Sequence, residues 1–164
     1  MHIKELFWKM VKVFGVGVDI AHLPRFHACF ARHGERFLRR AFHPSEIAEF
    51  YSKPAAARPG FLASRWAVKE ATYKAFQRYR VLFPEIRLVK QSSRDDTASD
   101  GDAADKFTPV QTKLSIAETS QALRLEFYGE TLALAEQLRL VEPHVSISHD
   151  NDYAIAYVVL QQKP

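Results

Sequence analysis

Apolar side chains dominate residues 13–20, VFGVGVDI, with Asp19 as the one charged position near the end of the run. A short β-branched and aromatic run of this kind predicts a buried strand. Residues 22–34 predict a helix with Pro24 in its first turn and Gly34 at its end. A second helix is predicted from Pro44-Ser45-Glu46 to about Tyr51, with Ser45 as N-cap and Pro54 beyond its end. The loop KPAAARPG at 53–60 leads into a long helix from about Phe61 to Tyr79. Its alanines at 63, 67, 71 and 75 recur every four residues, a small-residue stripe that lets another element pack closely. Strands are expected at 85–90 and 122–128, and an amphipathic helix over Gly129–Leu140. Two final apolar strands, HVSISHD and YAIAYVVL, flank a tight Asn151-Asp152 turn. Together these predict an α+β domain, an antiparallel sheet packed around one long helix.

One segment breaks the pattern. Residues 91–109, QSSRDDTASDGDAADKFTP, are poor in large apolar side chains and are expected as a flexible surface insertion. The aspartates at 95, 96, 100, 102 and 105 lack the closing glutamate of an EF-hand calcium loop. Residues 1–12 are expected as an N-terminal extension and 13–164 as a single domain. The hydrophobic fraction of 47% excludes disorder across the whole chain. The net charge of +4 favours anionic partners without choosing among them. The lone Cys29 cannot form an internal disulfide or build a zinc site. No stretch approaches the ~20 apolar residues of a membrane span, and the N-terminus lacks the apolar run of a secretory signal.

Three stretches could carry chemistry. Asp19 near the end of an apolar strand lies where ligands often sit, though a lone aspartate there is more often a turn or cap residue. The glycines at 15 and 17 do not complete a dinucleotide fingerprint. In WAVKEATYK, residues 66–74, Glu70 and Lys74 are four apart and share a helix face with Ala63 and Ala67. That pair reads equally as a surface salt bridge or as a partly buried site, with Lys69 on an adjoining face. In SISHD, residues 146–150, Ser148 and His149 have no GxSxG elbow or acid partner for a hydrolase triad.

Taken together, the three stretches resemble a known family. GVD near the N-terminus, WxxKExxxK about fifty residues later and VSISH near the C-terminus resemble the acyl-carrier-protein synthases. These are the short, single-domain branch of the phosphopantetheinyl transferases. The likeness runs from about Val13 to Leu160, and the 91–109 insertion and the first twelve residues depart from it. It implies a magnesium-dependent enzyme that moves the 4′-phosphopantetheine arm of coenzyme A onto a serine of an acyl carrier protein. Asp19 and Glu70 match the family's metal ligands. Glu70 and Lys74 match its catalytic positions, and Lys69, Lys74, Arg65, Ser148 and His149 its coenzyme contacts.

The same resemblance makes the helix at 22–34 a docking face for an acidic carrier, with Arg25 and Arg32 on it and Arg36 just beyond. It further implies a homotrimer with active sites at subunit interfaces. The branch usually serves a dissociated fatty-acid synthase, which places the chain in a bacterial cytoplasm, or alternatively in a mitochondrial matrix or another organelle. The rival class is a basic nucleic-acid module built on Arg39, Arg40, Tyr73, Phe76 and Tyr79. No RRM or KH signature supports it, and an acidic pair does not help to hold phosphate without a metal. Neither a nucleic-acid partner nor a membrane is therefore expected.

Overall fold

The chain runs β1 (Lys12–His22), α1 (Leu23–Ala41), α2 (Pro44–Ser52), α3 (Arg58–Ala75), β2 (Ile86–Gln91), β3 (Ala122–Phe127), α4 (Gly129–Gln137), β4 (His144–Asp150) and β5 (Tyr153–Gln162). This is a computed structural model that describes residues 11–91 and 122–164. Lys12, assigned above to the extension, already belongs to β1; the rest of the extension, apart from Val11, lies outside the described residues. Of the expected insertion only Gln91, the last residue of β2, is described.

All strand pairing is antiparallel, but the strands fall into two sheets instead of one. β5 lies between β1 and β4, and β2 pairs with β3. Along β1 the burial alternates: Gly15, Gly17 and Ala21 are buried and Asp19 is half-buried, while Val16, Val18 and Ile20 face outward. The inward face rests on α3, whose alanines 63, 67, 71 and 75 are all 0% exposed. The contact is backbone to backbone. A Cβ on Gly15 would lie 1.9 Å from the Ala75 carbonyl oxygen, and one on Gly17 would lie 1.8 Å from that of Ala71. The small-residue stripe of the helix and the glycines of the strand are thus two halves of one close approach.

Several boundaries differ from the expected ones for local reasons. Helical geometry does break at Gly34 (φ 50, ψ −136), but a second helical stretch then carries α1 on to Ala41. The N-cap of α2 is His43 and not Ser45. The ring nitrogen Nδ1 of His43 accepts the Ser45 N–H, and the Glu46 carboxylate accepts the His43 N–H, a capping box with histidine in the usual Ser/Thr place. α3 begins at Arg58, inside the expected loop, because Pro59 suits a first helical turn. It ends at Ala75, and Gln77 takes a left-handed φ of 58°.

Candidate active site

Successive inward residues of β1 step back along α3 by one helical turn, from Gly15 at Ala75 to Gly17 at Ala71. Two strand residues advance about 6.7 Å and four helical residues about 6 Å, so the next inward residue, Asp19, meets the turn that carries Glu70. Lys74 reaches across this seam. Its Nζ donates to Asp19 Oδ1 at 2.9 Å and to the Val18 carbonyl at 2.9 Å. The Asp19 side chain is 14% exposed and that of Lys74 is 47% exposed, so the pair sits at the mouth of the seam. Glu70, one turn before Lys74, is half-buried and has no hydrogen bond or ion pair among the described residues. Asp19 and Lys74 are thus paired across the seam, with Glu70 one helical turn from Lys74.

Two carboxylates from adjoining elements suit a hard cation such as magnesium, which takes one or two protein carboxylates and fills its shell with phosphate oxygens and water. One Asp19 oxygen holds Lys74, and the other and both Glu70 oxygens are without protein partners among the described residues. The donor chemistry therefore fits that ion.

Lys69 is a correction. It was expected on a face from which its cation reaches an anionic ligand, but it is 1% exposed. Its ammonium donates to Glu46 Oε2 at 2.8 Å, to the Phe83 carbonyl at 2.9 Å and to the Ile86 carbonyl. All three N–H groups are used inside the protein. Burial pushes the Lys69 ammonium below its usual pKa, against the opposing pull of Glu46.

Beside the seam lies a cavity of about 380 Å³ lined by Ser64, Arg65, Leu88, Lys90, Ile147 and His149, among others. Ile147, Ala156 and Asp19 form one cross-strand row, which sets the backbone of the cavity wall two strands, about 10 Å, from that of Asp19. Arg65 is 7% exposed, and its guanidinium lies 4.3 Å from the Phe61 ring centroid. One Nη donates to Ser64 Oγ at 3.3 Å and the other is 3.6 Å from Glu49, but its Nε is buried with no partner. Desolvation lowers the Arg65 pKa from its ordinary value, so its charge is under-compensated. Cations that line a cavity, here Arg65 and Lys90, are complementary to an anionic ligand.

His149 and Ser148 part company here. His149 shares the inward face with Ile147, whereas strand alternation turns Ser148 to the outer face, opposite Ile155. From within this one chain, only His149 of the two lines the cavity. Lys90 was missed by the sequence reading. The signal for it was the alternation Ile86, Leu88, Lys90 at the end of β2, which puts a cation on the inward face.

The predicted docking arginines lie together on α1. Arg25 stacks its guanidinium 5.8 Å from the Trp66 ring centroid, while Arg32 and Arg36 are exposed. Because α1 continues past Gly34, Arg39 and Arg40 join Arg36 around a shallow depression.

Comparisons with known proteins agree on one family. The family model described as the 4′-phosphopantetheinyl transferase superfamily matches residues 15–158. A holo-[acyl-carrier-protein] synthase of Nitratidesulfovibrio vulgaris (strain DP4) is 32% identical over 149 residues, covering 91% of this chain and 98% of that protein. One from Escherichia coli O139:H28 is 34% identical over 149 residues, with the same 91% and 98% coverage. Among solved structures, the Chronobacterium ammoniagenes ACPS–CoA complex is 26% identical with a TM-score of 0.63, covering 95% of this chain and 100% of that one. The holo-ACP-synthase of Plasmodium yoelii shares the fold at a TM-score of 0.70 and 17% identity, covering 95% of this chain and 100% of that one.

Proposed function

This chain belongs to the 4′-phosphopantetheinyl transferase superfamily, and from that premise we infer how its residues divide the work. It is a holo-acyl-carrier-protein synthase: it transfers 4′-phosphopantetheine from coenzyme A to a serine of an apo-acyl carrier protein. The serine oxygen forms a bond to the β-phosphorus, the bond from that phosphorus to the bridging oxygen breaks, and 3′,5′-adenosine bisphosphate leaves. Negative charge builds on the leaving phosphate, so positioning and charge neutralisation are what the protein must supply.

Asp19 and Glu70 hold magnesium in this reading, and the ion neutralises pyrophosphate charge when bound. Lys74 has one N–H beyond those given to Asp19 and Val18 and donates it to a phosphate oxygen. In this reading Glu70, whose carboxylate has no protein partner among the described residues, takes the proton of the attacking serine. Arg65, Lys90 and His149 receive the anionic adenosine end of the coenzyme in the cavity. Arg25, Arg32 and Arg36 dock the acidic carrier, taken to be that of fatty-acid synthesis. The outward row Val16, Val18, Ile20 and Tyr157 is an exposed apolar sheet face, which supports assembly into the expected trimer with sites at subunit interfaces.

The observation that carries this reading is the Asp19–Lys74 pair, with Glu70 one helical turn away, beside a cavity lined by the cations Arg65 and Lys90 and by His149. The test is the intact mass of an apo-acyl carrier protein after incubation with this protein, coenzyme A and magnesium. The expected result is a gain of one phosphopantetheine that EDTA abolishes and that Asp19→Ala and Glu70→Ala each prevent. A full gain in the presence of EDTA would remove the metal from the reading. No gain with several carriers would point to a catalytically silent member of the fold.

A further inference from the structure

The most deeply buried ion pair among the described residues, Lys69–Glu46, is one that no step above uses. The two side chains are 1% and 2% exposed. Beyond the three bonds given by Lys69, Glu46 accepts the Leu88 N–H on Oε1 at 3.3 Å and the His43 N–H on Oε2 at 3.0 Å. One pair thus joins four stretches of backbone: the start of α2, the middle of α3, the turn at Phe83–Glu85, and β2.

Stability is a weak explanation for such a pair. Desolvating two charges offsets most of their attraction, and apolar replacements of similar volume are often neutral or stabilising. What the pair adds is direction, because its five hydrogen bonds fix where β2 stands relative to α3. β2 is a wall of the cavity: Leu88, whose own N–H is held by Glu46, lines it together with Lys90. On the other side of the pair, α3 carries Arg65 into the same cavity and Glu70 to the seam, immediately after Lys69.

We propose that Lys69 and Glu46 are positioning residues that clamp the β2 wall of the coenzyme cavity, Leu88 and Lys90, against the α3 residues Arg65 and Glu70. The inference rests on the reading that coenzyme A occupies this cavity. The clamp acts on coenzyme binding and not on the carrier, because the docking arginines lie on α1 and neither member of the pair does.

The deciding variant is the double substitution Lys69→Met with Glu46→Leu, which removes both charges and keeps the interior filled. Folding is followed by near-ultraviolet circular dichroism and thermal melting, and steady-state kinetics are run against each substrate separately. The clamp predicts a folded protein whose KM for coenzyme A rises about tenfold or more, with the KM for carrier unchanged. It also predicts faster amide hydrogen exchange at Leu88. A folded double variant with wild-type KM for coenzyme A overturns the proposal. Equal rises in both KM values overturn it as well. Failure of the double variant to fold assigns the pair to stability alone and likewise overturns it. Arg65→Ala separates the two levels. If it leaves coenzyme affinity unchanged, the cavity reading itself falls. If it weakens coenzyme while the double variant does not, only the clamp falls.

Discussion

His43 caps α2 with its ring, accepting the Ser45 N–H at 3.2 Å on Nδ1, and that ring stacks on Tyr128 with centroids 4.5 Å apart. Both contacts need or favour a neutral ring with a free Nδ1 lone pair. Burial holds the pKa of His43 below its ordinary value of 6.5, and the cations of Arg87 and Lys69 add to this against the opposing Glu46 carboxylate. As pH falls, the unfolded chain therefore binds the proton first. The contribution of His43 is complete above about pH 6.5 and is lost progressively as pH falls from there toward the folded-state pKa. Urea unfolding at pH 7.5 and 5.5 should show this loss, and His43→Asn, which caps without titrating, should flatten the difference. An unchanged slope in the variant would mean that other groups set the acid limit. The same neighbourhood explains what a single sequence conceals. Lys69 and Lys74 read alike as cations on α3, yet Lys69 is buried by a partner, Glu46, that lies far away in the chain. Ser148 and His149 read as one motif and face opposite ways, although here strand alternation alone was enough to foresee it.

Between elements, the contact that fixes the site is β1 against α3. A Cβ on Gly17 would lie 1.8 Å from the Ala71 carbonyl oxygen and 2.9 Å from the Ala75 nitrogen, both backbone atoms that cannot swing aside. Gly17→Ala must lift β1 off the helix, costing about 1–3 kcal/mol in denaturant unfolding and moving Asp19 away from Lys74. Ala71→Gly should not rescue it, because the obstacle is the helix backbone and not the alanine methyl. Rescue by that second change would show that the strand meets the helix differently. The helix half of this contact was legible in advance as an alanine stripe, whereas the role of Gly15 and Gly17 in the strand emerges only from the structure. The division into two sheets was not legible either. Alternation marks a strand and its buried face, but the choice of partner is a tertiary matter, and β2 and β3 are separated by thirty residues of sequence.

For the whole molecule, charge and apolar surface are sorted to different faces. The arginines of α1 meet solvent, so long-range attraction to an acidic carrier should depend on salt. Arg32→Glu and Arg36→Glu should each raise the carrier KM about tenfold at low ionic strength and leave the coenzyme KM alone. The gap should narrow as salt is raised. A salt-independent effect would point to local damage in α1.

The outer face of the β1–β5–β4 sheet has the opposite character. Val18 and Tyr157 are direct cross-strand neighbours, 52% and 48% exposed, and Ile20, 60% exposed, stands beside them opposite Ile155. A lone subunit would hold this row against water, at about 25 cal/mol for each Å² of apolar surface left uncovered. Asp19 lies on the same strand between Val18 and Ile20, with its side chain on the opposite, inner face. A copy of the chain seated on this row would lie against the outer face of the strand whose inner face carries Asp19 and the seam, where Lys74 is 47% exposed. Introducing like charges at the cross-strand pair, Val18→Glu with Tyr157→Glu, should yield a folded monomer by light scattering and lose transferase activity together with assembly. Neither substitution touches Asp19, Glu70 or Lys74, so the loss would trace to the missing neighbour. A monomer with full activity would instead confine the site to one subunit and leave the apolar row without a catalytic role.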